Sequence, residues 1–132
     1  MKYALIGCGR IATNHVKAVL NNNLEFVAAC DIELKNIEIL LKKHNLENDK
    51  SINRYVDYKE MIKNHPDLEL IAIATSSGAH AEIALYCIDH GINVIIENRS
   101  KVLTKNSITA SLIAFTPKVI LVSVIKNINS IQ

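Results

Sequence analysis

Tyr3-Ala4-Leu5-Ile6-Gly7-Cys8-Gly9-Arg10-Ile11-Ala12 is the stretch on which the reading of this chain turns. Its first four residues form an apolar run of strand character, and helical spacing of apolar residues begins where the stretch ends. A G-x-G-x-x-A sequence in that strand–turn–helix setting points to a dinucleotide-binding turn. Gly7 permits the tight turn out of the strand, Gly9 lets a pyrophosphate approach the backbone, and Ala12 keeps helix and strand close. Arg10 and Ile11 occupy the positions between. The helix beyond offers unpaired N–H groups and the positive end of its dipole to phosphate. A second apolar run, Phe26-Val27-Ala28-Ala29-Cys30, leads into Asp31, 19 residues past Ala12. A carboxylate about 20 residues on grips an adenosine ribose. Each feature alone has an ordinary explanation, since Gly-x-Gly occurs in plain turns and an Asp after a strand can cap the next helix. Together, in register, they favour the nucleotide site.

Working outward, the first 97 residues alternate between two periods. Apolar runs predict strands at 3–7, 25–30, 68–75 and 93–97, with a short fifth at 53–56. Helical stripes lie between them: Ile11, His15, Val16, Val19 and Leu20; Leu34, Ile37, Leu40 and Leu41; Tyr58, Met61 and Ile62; and His80, Ile83, Ala84, Cys87 and Ile88, stopped by Gly91. Strands that are almost continuously apolar are buried on both faces, which requires a parallel sheet covered by helices through right-handed crossovers. The fold class expected is therefore α/β, a Rossmann-like doubly wound parallel sheet in a single domain, with its ligand crevice at the carboxyl ends of the strands. The phosphate turn, Asp31, Thr75-Ser76-Ser77 and Glu97 all fall at such ends.

A chain of 132 residues is long enough for one domain with a real core. Its formal charge of +2 comes without a dense Lys/Arg cluster, so nucleic acid is not an expected partner. Cys8, Cys30 and Cys87 are odd in number and lack C-x-x-C spacing, which supports neither a disulfide framework nor a metal site. A reducing cytoplasm fits that usage. The chain shows no secretory signal pattern after Met1-Lys2, and its most apolar stretch, 110–125, is interrupted by Pro117 and Lys118 and too short for a membrane span. A soluble protein follows, with a homo-oligomer compatible with the sequence.

Composition breaks after Arg99. All 13 acidic residues and all four glycines precede it, whereas residues 100–132 carry four lysines and no acid. The expected division is a dinucleotide-binding domain at 1–99 and a tail at 100–132, with helix within 104–115 and an added parallel strand at 118–124 on the same sheet.

Several spaced motifs, taken in order, resemble the N-terminal half of the Gfo/Idh/MocA family, the glucose–fructose oxidoreductase and inositol dehydrogenase group. They are Gly7-Cys8-Gly9-Arg10-Ile11-Ala12, His15, Cys30-Asp31, Arg54-Tyr55-Val56-Asp57-Tyr58, the run from Ala74 through Thr75-Ser76-Ser77-Gly78-Ala79-His80 to Ala84, and Asn93-Val94-Ile95-Ile96-Glu97. The resemblance covers residues 1–97 and implies a nicotinamide-dependent oxidoreductase acting on a sugar, cyclitol or nucleotide-sugar alcohol. Asp31 favours NAD over NADP as the cofactor, because it accepts ribose hydroxyls but repels a 2′-phosphate, unless Arg10 reaches across the adenosine and pairs with that phosphate. The cofactor-binding set the resemblance suggests is Gly7, Gly9, Arg10, Ile11, Asp31, Thr75, Ser76, Ser77, His80 and Glu97. His80 has two readings, the family histidine that follows the turn and a buried core residue on the Ala84–Cys87 stripe. His15 reads as structural, and His65, before Pro66, needs no role.

The chain departs from the family where Glu-Lys-Pro is expected and Glu97-Asn98-Arg99 stands. Asn98 replaces the family lysine and has no ammonium with which to move a proton, so no catalytic residue is assigned. Where Asn98-Arg99 is encoded AAC-CGN, one A restored after the Glu97 codon turns it into AAA-CCG, which reads Lys-Pro. The expectation is accordingly a frameshifted, truncated oxidoreductase that binds cofactor without turnover, its sugar-type substrate belonging to a full-length form. The alternative is a stand-alone nucleotide-binding or sensing module. A methyltransferase fits less well, because Ile11 occupies a loop position where such enzymes favour glycine.

Overall fold

The computed structural model describes residues 1–96 and 119–121. Strands and helices alternate from the start: β1 (Lys2–Ile6), α1 (Ala12–Asn21), β2 (Glu25–Cys30), α2 (Leu34–Lys43), β3 (Asn53–Tyr55), α3 (Tyr58–Asn64), β4 (Leu70–Ile73), α4 (Ser77–Asp89), β5 (Asn93–Ile96) and β6 (Val119–Leu121). All pairings are parallel, in the order β3-β2-β1-β4-β5-β6. This is the Rossmann-like doubly wound α/β fold. The order reverses between β1 and β4, and there the loops at the strand ends diverge to opposite sides and leave a crevice.

The apolar runs are buried on both faces, so the sheet has two cores. Tyr3, Leu5 and Ala29 pack against Val16 and Val19 of α1 and Ile37, Leu40 and Leu41 of α2. Ala4, Ile6, Ile71 and Ile73 pack on the other face against Met61 and Ile62 of α3 and Ile83, Ala84 and Cys87 of α4. Each fully buried aliphatic side chain contributes about 1.5–3 kcal/mol. Leu20 and Leu34, on the expected stripes, stand at the outer ends of their helices and are exposed.

Three helices stop in the same way. Asn23, Asn45 and Gly91 have φ of 53°, 58° and 76°, the left-handed conformation that ends a helix. The next residue's N–H then reaches back to an earlier carbonyl: Leu24 to Val19 at 3.1 Å, Leu46 to Leu41 at 2.8 Å and Ile92 to Cys87 at 3.0 Å. Each of those residues is apolar and packs into the core. The stop therefore also aims the chain into the following strand or loop.

Between α2 and β3, Arg54 gathers the loop by donating to the carbonyls of Glu47 (3.0 Å), Asp49 (3.0 Å) and Ile52. The Tyr55 hydroxyl lies 2.9 Å from His65 Nε2, and the rings meet edge to face. His65 thus ties β3 to the end of α3, a structural part that its sequence position did not suggest. β4 is shorter than the run at 68–75 because the chain turns away after Ile73, although Ala74 still donates to the Ile6 carbonyl at 2.7 Å. β5 is described through Ile96; the expected helix at 104–115, Glu97 and Asn98 lie outside the described residues. β6 runs parallel beside β5, with Val94 opposite Val119 and Ile96 opposite Leu121. No helix among the described residues is long and apolar enough to cross a membrane.

Candidate functional site

The turn after β1 shows why two glycines are needed, and for different reasons. Gly7 has φ +93°, and a Cβ placed on it would lie 2.6 Å from the Ala74 carbonyl carbon and 2.7 Å from Thr75 N. The turn is pressed against the end of β4, and only a residue without a side chain fits. A Cβ on Gly9 would meet nothing within 4 Å. Its open side faces the cavity instead, which is the condition for close approach of a ligand's phosphates to the backbone. Gly7 N donates to the Cys30 carbonyl at 2.8 Å, holding the turn to the end of β2.

Asp31 joins those two strand ends. One carboxylate oxygen accepts from Cys8 N at 2.8 Å, the other from Glu33 N at 2.8 Å and from the Asn36 side-chain amide at 3.3 Å. The aspartate therefore fixes the phosphate turn and the start of α2 together. It is not the cap of α2, whose N-cap is Glu33. Carboxylate lone pairs remain for ribose hydroxyls, since two oxygens offer about four acceptor sites.

On the far side, Thr75 and Ser76 form the turn into α4. His80, one turn into that helix, is buried, and its Nε2 donates to the Thr75 carbonyl at 2.6 Å. A carbonyl only accepts, so Nε2 carries the hydrogen of this bond. His80 is thus a buried residue that holds the Thr75 turn from behind, and it is not among the residues that line the cleft.

These parts surround a cavity of about 470 Å³ lined by Gly7, Gly9, Asp31, Asn36, Thr75 and Ser76 among others. Ile32 and Val56 line it as well and are 87% and 53% exposed. Apolar side chains this exposed at the rim of a cleft suit a flat heterocycle laid between them. Asn36, Ile32 and Val56 are outside the cofactor-binding set that the sequence suggests, although Val56 stands in one of the quoted motifs. Ile32 directly follows Asp31, so its position could have flagged it; Asn36 and Val56 reach the site only through the crossovers.

Gly7, Gly9, Asp31, Thr75 and Ser76 come together around the cleft. Arg10 lines a smaller adjoining cavity, Ile11 is the N-cap of α1, and Ser77 begins α4. The thiols nearby are buried. Burial, followed by the Asp31 charge, pushes Cys8 well above the usual thiol range and Cys30 up to about 12. No group of His, Cys, Asp and Glu able to hold a metal ion occurs among the described residues.

A strand-end cleft with a glycine turn and an aspartate after the second strand belongs to many dinucleotide folds, and comparison with known proteins narrows the choice. The family model GFO_IDH_MocA, the NAD-binding Rossmann fold of an oxidoreductase family, matches residues 1–98. This chain belongs to the Gfo/Idh/MocA oxidoreductase family. Inositol 2-dehydrogenase of Salmonella paratyphi B is 30% identical over 99 residues, which are 74% of this chain and 28% of that protein. The chain thus matches less than a third of its curated relative's length. Among solved structures, myo-inositol 2-dehydrogenase from Lactobacillus plantarum superposes with a TM-score of 0.68 at 25% identity, over 92% of this chain and 35% of that one. The WlbA dehydrogenase from Chromobacterium violaceum, solved with NADH and UDP-GlcNAcA, gives a TM-score of 0.72 at 21% identity, over 92% of this chain and 34% of that one. At that identity the likeness shows the fold alone.

Proposed function

We propose that this chain binds NAD(H), in preference to NADP(H), as the dinucleotide-binding part of an oxidoreductase acting on a secondary alcohol of a sugar, cyclitol or nucleotide sugar. The observation that carries the reading is the meeting of three separate strand ends on one crevice. The open face of Gly9, the Asp31 carboxylate and the Thr75-Ser76 turn border the same 470 Å³ space.

The residues present fit the dinucleotide. Gly9 and the first turn of α1 take the pyrophosphate through backbone N–H groups. Asp31, oriented by Cys8 N and Asn36, takes the ribose hydroxyls. Ile32 and Val56 enclose the base, and the Thr75-Ser76 turn, held by His80, borders the rest of the cofactor. A bound nicotinamide supplies the hydride chemistry, which the protein serves by orientation. Glu97 belongs to the proposed set by its place after β5.

A second reading, binding without catalysis, draws on Asn98 standing where the family's motif has lysine. An amide neither donates nor takes the proton that alcohol oxidation releases. We therefore expect the 132-residue chain to bind cofactor and to turn over no sugar alcohol. Calorimetric titration with NAD+, NADP+ and S-adenosylmethionine, paired with an absorbance assay on inositol and UDP-sugars, tests both statements. Tighter binding of NADP+ or S-adenosylmethionine would overturn the cofactor assignment, and measurable NADH formation would overturn the second reading.

A further inference from the structure

One wall of the cleft is contributed by the β3–α3 connection and by α4. Val56 and Tyr58 line it from the first, Ala79, Glu82 and Ile83 from the second. Ala79, Glu82 and Ile83 stand at the i, i+3, i+4 spacing that gathers side chains on one face of a helix, so Glu82 belongs to the stripe that α4 turns toward the cleft. Three of the five side chains are aliphatic. Only the Glu82 carboxylate and the Tyr58 hydroxyl can form hydrogen bonds.

Both of those groups lack a partner. Glu82 is exposed and forms no ion pair among the described residues. The Tyr58 hydroxyl is buried without a hydrogen bond, although its ring is fixed edge to face against Tyr86 at 5.5 Å. The two are neighbours, since burial first and the Glu82 charge next hold that hydroxyl above the ordinary tyrosine range. A buried donor left unpaired calls for an explanation, and a ligand acceptor arriving on this wall supplies one. An acceptor-only carboxylate beside a hydroxyl donor complements a flat ring that carries an amino group next to a ring nitrogen. Val56, which encloses the base in the cofactor reading, belongs to the same wall.

We infer that Glu82 reads the amino group of the cofactor's purine, with the Tyr58 hydroxyl donating to the adjacent ring nitrogen, and so restricts the cleft to 6-aminopurine dinucleotides. This rests on the cofactor reading above and deepens it. A carboxylate takes the N–H of an amino group and repels a keto oxygen, which only accepts. The pyrophosphate at Gly9 and the ribose at Asp31 fix where the purine edge falls. A 6-oxopurine therefore sets its oxygen where the amino group would stand.

The test is calorimetric titration of the full chain with NAD+ and with nicotinamide hypoxanthine dinucleotide, which carries a keto oxygen in place of the amino group, with Glu82→Gln and Tyr58→Phe beside the parent. The parent is expected to bind NAD+ about tenfold more tightly, the effect of one charged hydrogen bond at a solvent-facing position. Glu82→Gln, whose amide donates as well as accepts, should bring the two within about twofold. Tyr58→Phe removes an unpaired buried hydroxyl, so it should weaken NAD+ about threefold without lowering the melting temperature. Equal affinity of the parent for both dinucleotides, or a preference that survives Glu82→Gln, overturns the inference while leaving the cofactor site standing. Unchanged NAD+ affinity in Tyr58→Phe overturns the donor half of it. If the parent binds neither dinucleotide, the cofactor reading falls and this one with it.

Discussion

Two hollows in this molecule invite comparison. The groove between α3 and α4, lined by Asp57, Lys59, Lys63, His65, Tyr86 and His90 among others, encloses about 800 Å³, against 470 Å³ for the cleft at the strand ends. By size and charge the groove looks the better site. Several of its polar groups, however, already have partners within the fold. Asp57 accepts from Lys59 N at 2.9 Å, His65 meets Tyr55, His90 Nδ1 donates to the Tyr86 carbonyl at 2.7 Å, and the Lys59 ammonium sits over the Tyr58 and Tyr86 rings. The cleft is built differently, from backbone at the ends of β1 and β4 and one carboxylate that reaches across. Convergent strand ends with an open glycine face mark a binding site better than volume does.

The comparison would break most visibly at the glycines. Gly7→Ala puts a Cβ into the β4 backbone at a positive φ, and a loss of about 3 kcal/mol or more in urea unfolding is expected, with dinucleotide binding lost alongside. Gly9→Val should separate the two roles. Its side chain enters open space, so stability should hold while NAD+ affinity falls about 100-fold in calorimetry through obstruction of the pyrophosphate. Equal behaviour of the two variants would mean that the turn is merely structural.

Asp31→Ala comes next. It removes the proposed ribose acceptor and three hydrogen bonds that join the turn to α2, and NAD+ should bind about 10- to 100-fold more weakly. Retention of full affinity would place the ribose elsewhere.

The buried thiols give a smaller, pH-dependent effect. Burial pushes Cys30 and Cys87 up to about 12, whereas an unfolded thiol titrates near ~8.5. The unfolded chain therefore releases these protons first. Stability from this source is complete below about pH 8.5 and declines as pH rises toward 12. Urea midpoints measured between pH 7 and 10 should fall above pH 8.5, and alkylation by iodoacetamide at pH 8 should require unfolding. Rapid labelling of the folded chain would show the cleft floor to be open.

Smallest of all is the expected effect in the groove. Lys63→Ala combined with His90→Ala should change NAD+ affinity less than twofold and stability by about 0.5 kcal/mol or less, as for ordinary surface positions. A tenfold change in affinity would give the larger hollow a part in binding and erase the distinction drawn above.

The sequence made the architecture legible because its two periods are clean. Continuous apolar runs such as Leu70-Ile71-Ala72-Ile73 announce strands covered on both faces, and the glycine turn locates the switch between β1 and β4. The helix stops at Asn23 and Asn45 were less legible. Asparagine adopts the left-handed conformation only when the chain needs it, and the confirming sign is the apolar residue that follows, Leu24 or Leu46. In the site, Gly7, Gly9, Asp31 and the Thr75-Ser76 turn could be read from spacing within single strand–turn–helix units. Asn36 could not, because it enters through a helix whose rotation about its axis the spacing leaves open. His80 could be read only as two alternatives, since burial and bonding to a functional turn leave the same trace in an amphipathic stripe.

The bond from Cys8 N to Asp31 carries a kinetic consequence. A phosphate turn tethered to the neighbouring strand end does not have to become ordered when its ligand arrives. The entropy of fixing those residues is spent during folding and is absent from the binding step. Association of a dinucleotide should then proceed in a single phase whose rate rises linearly with ligand concentration, without a slow isomerisation afterwards. Cutting the tether at Asp31 should add that second phase, so the carboxylate proposed to hold a ribose also sets how promptly the ligand settles.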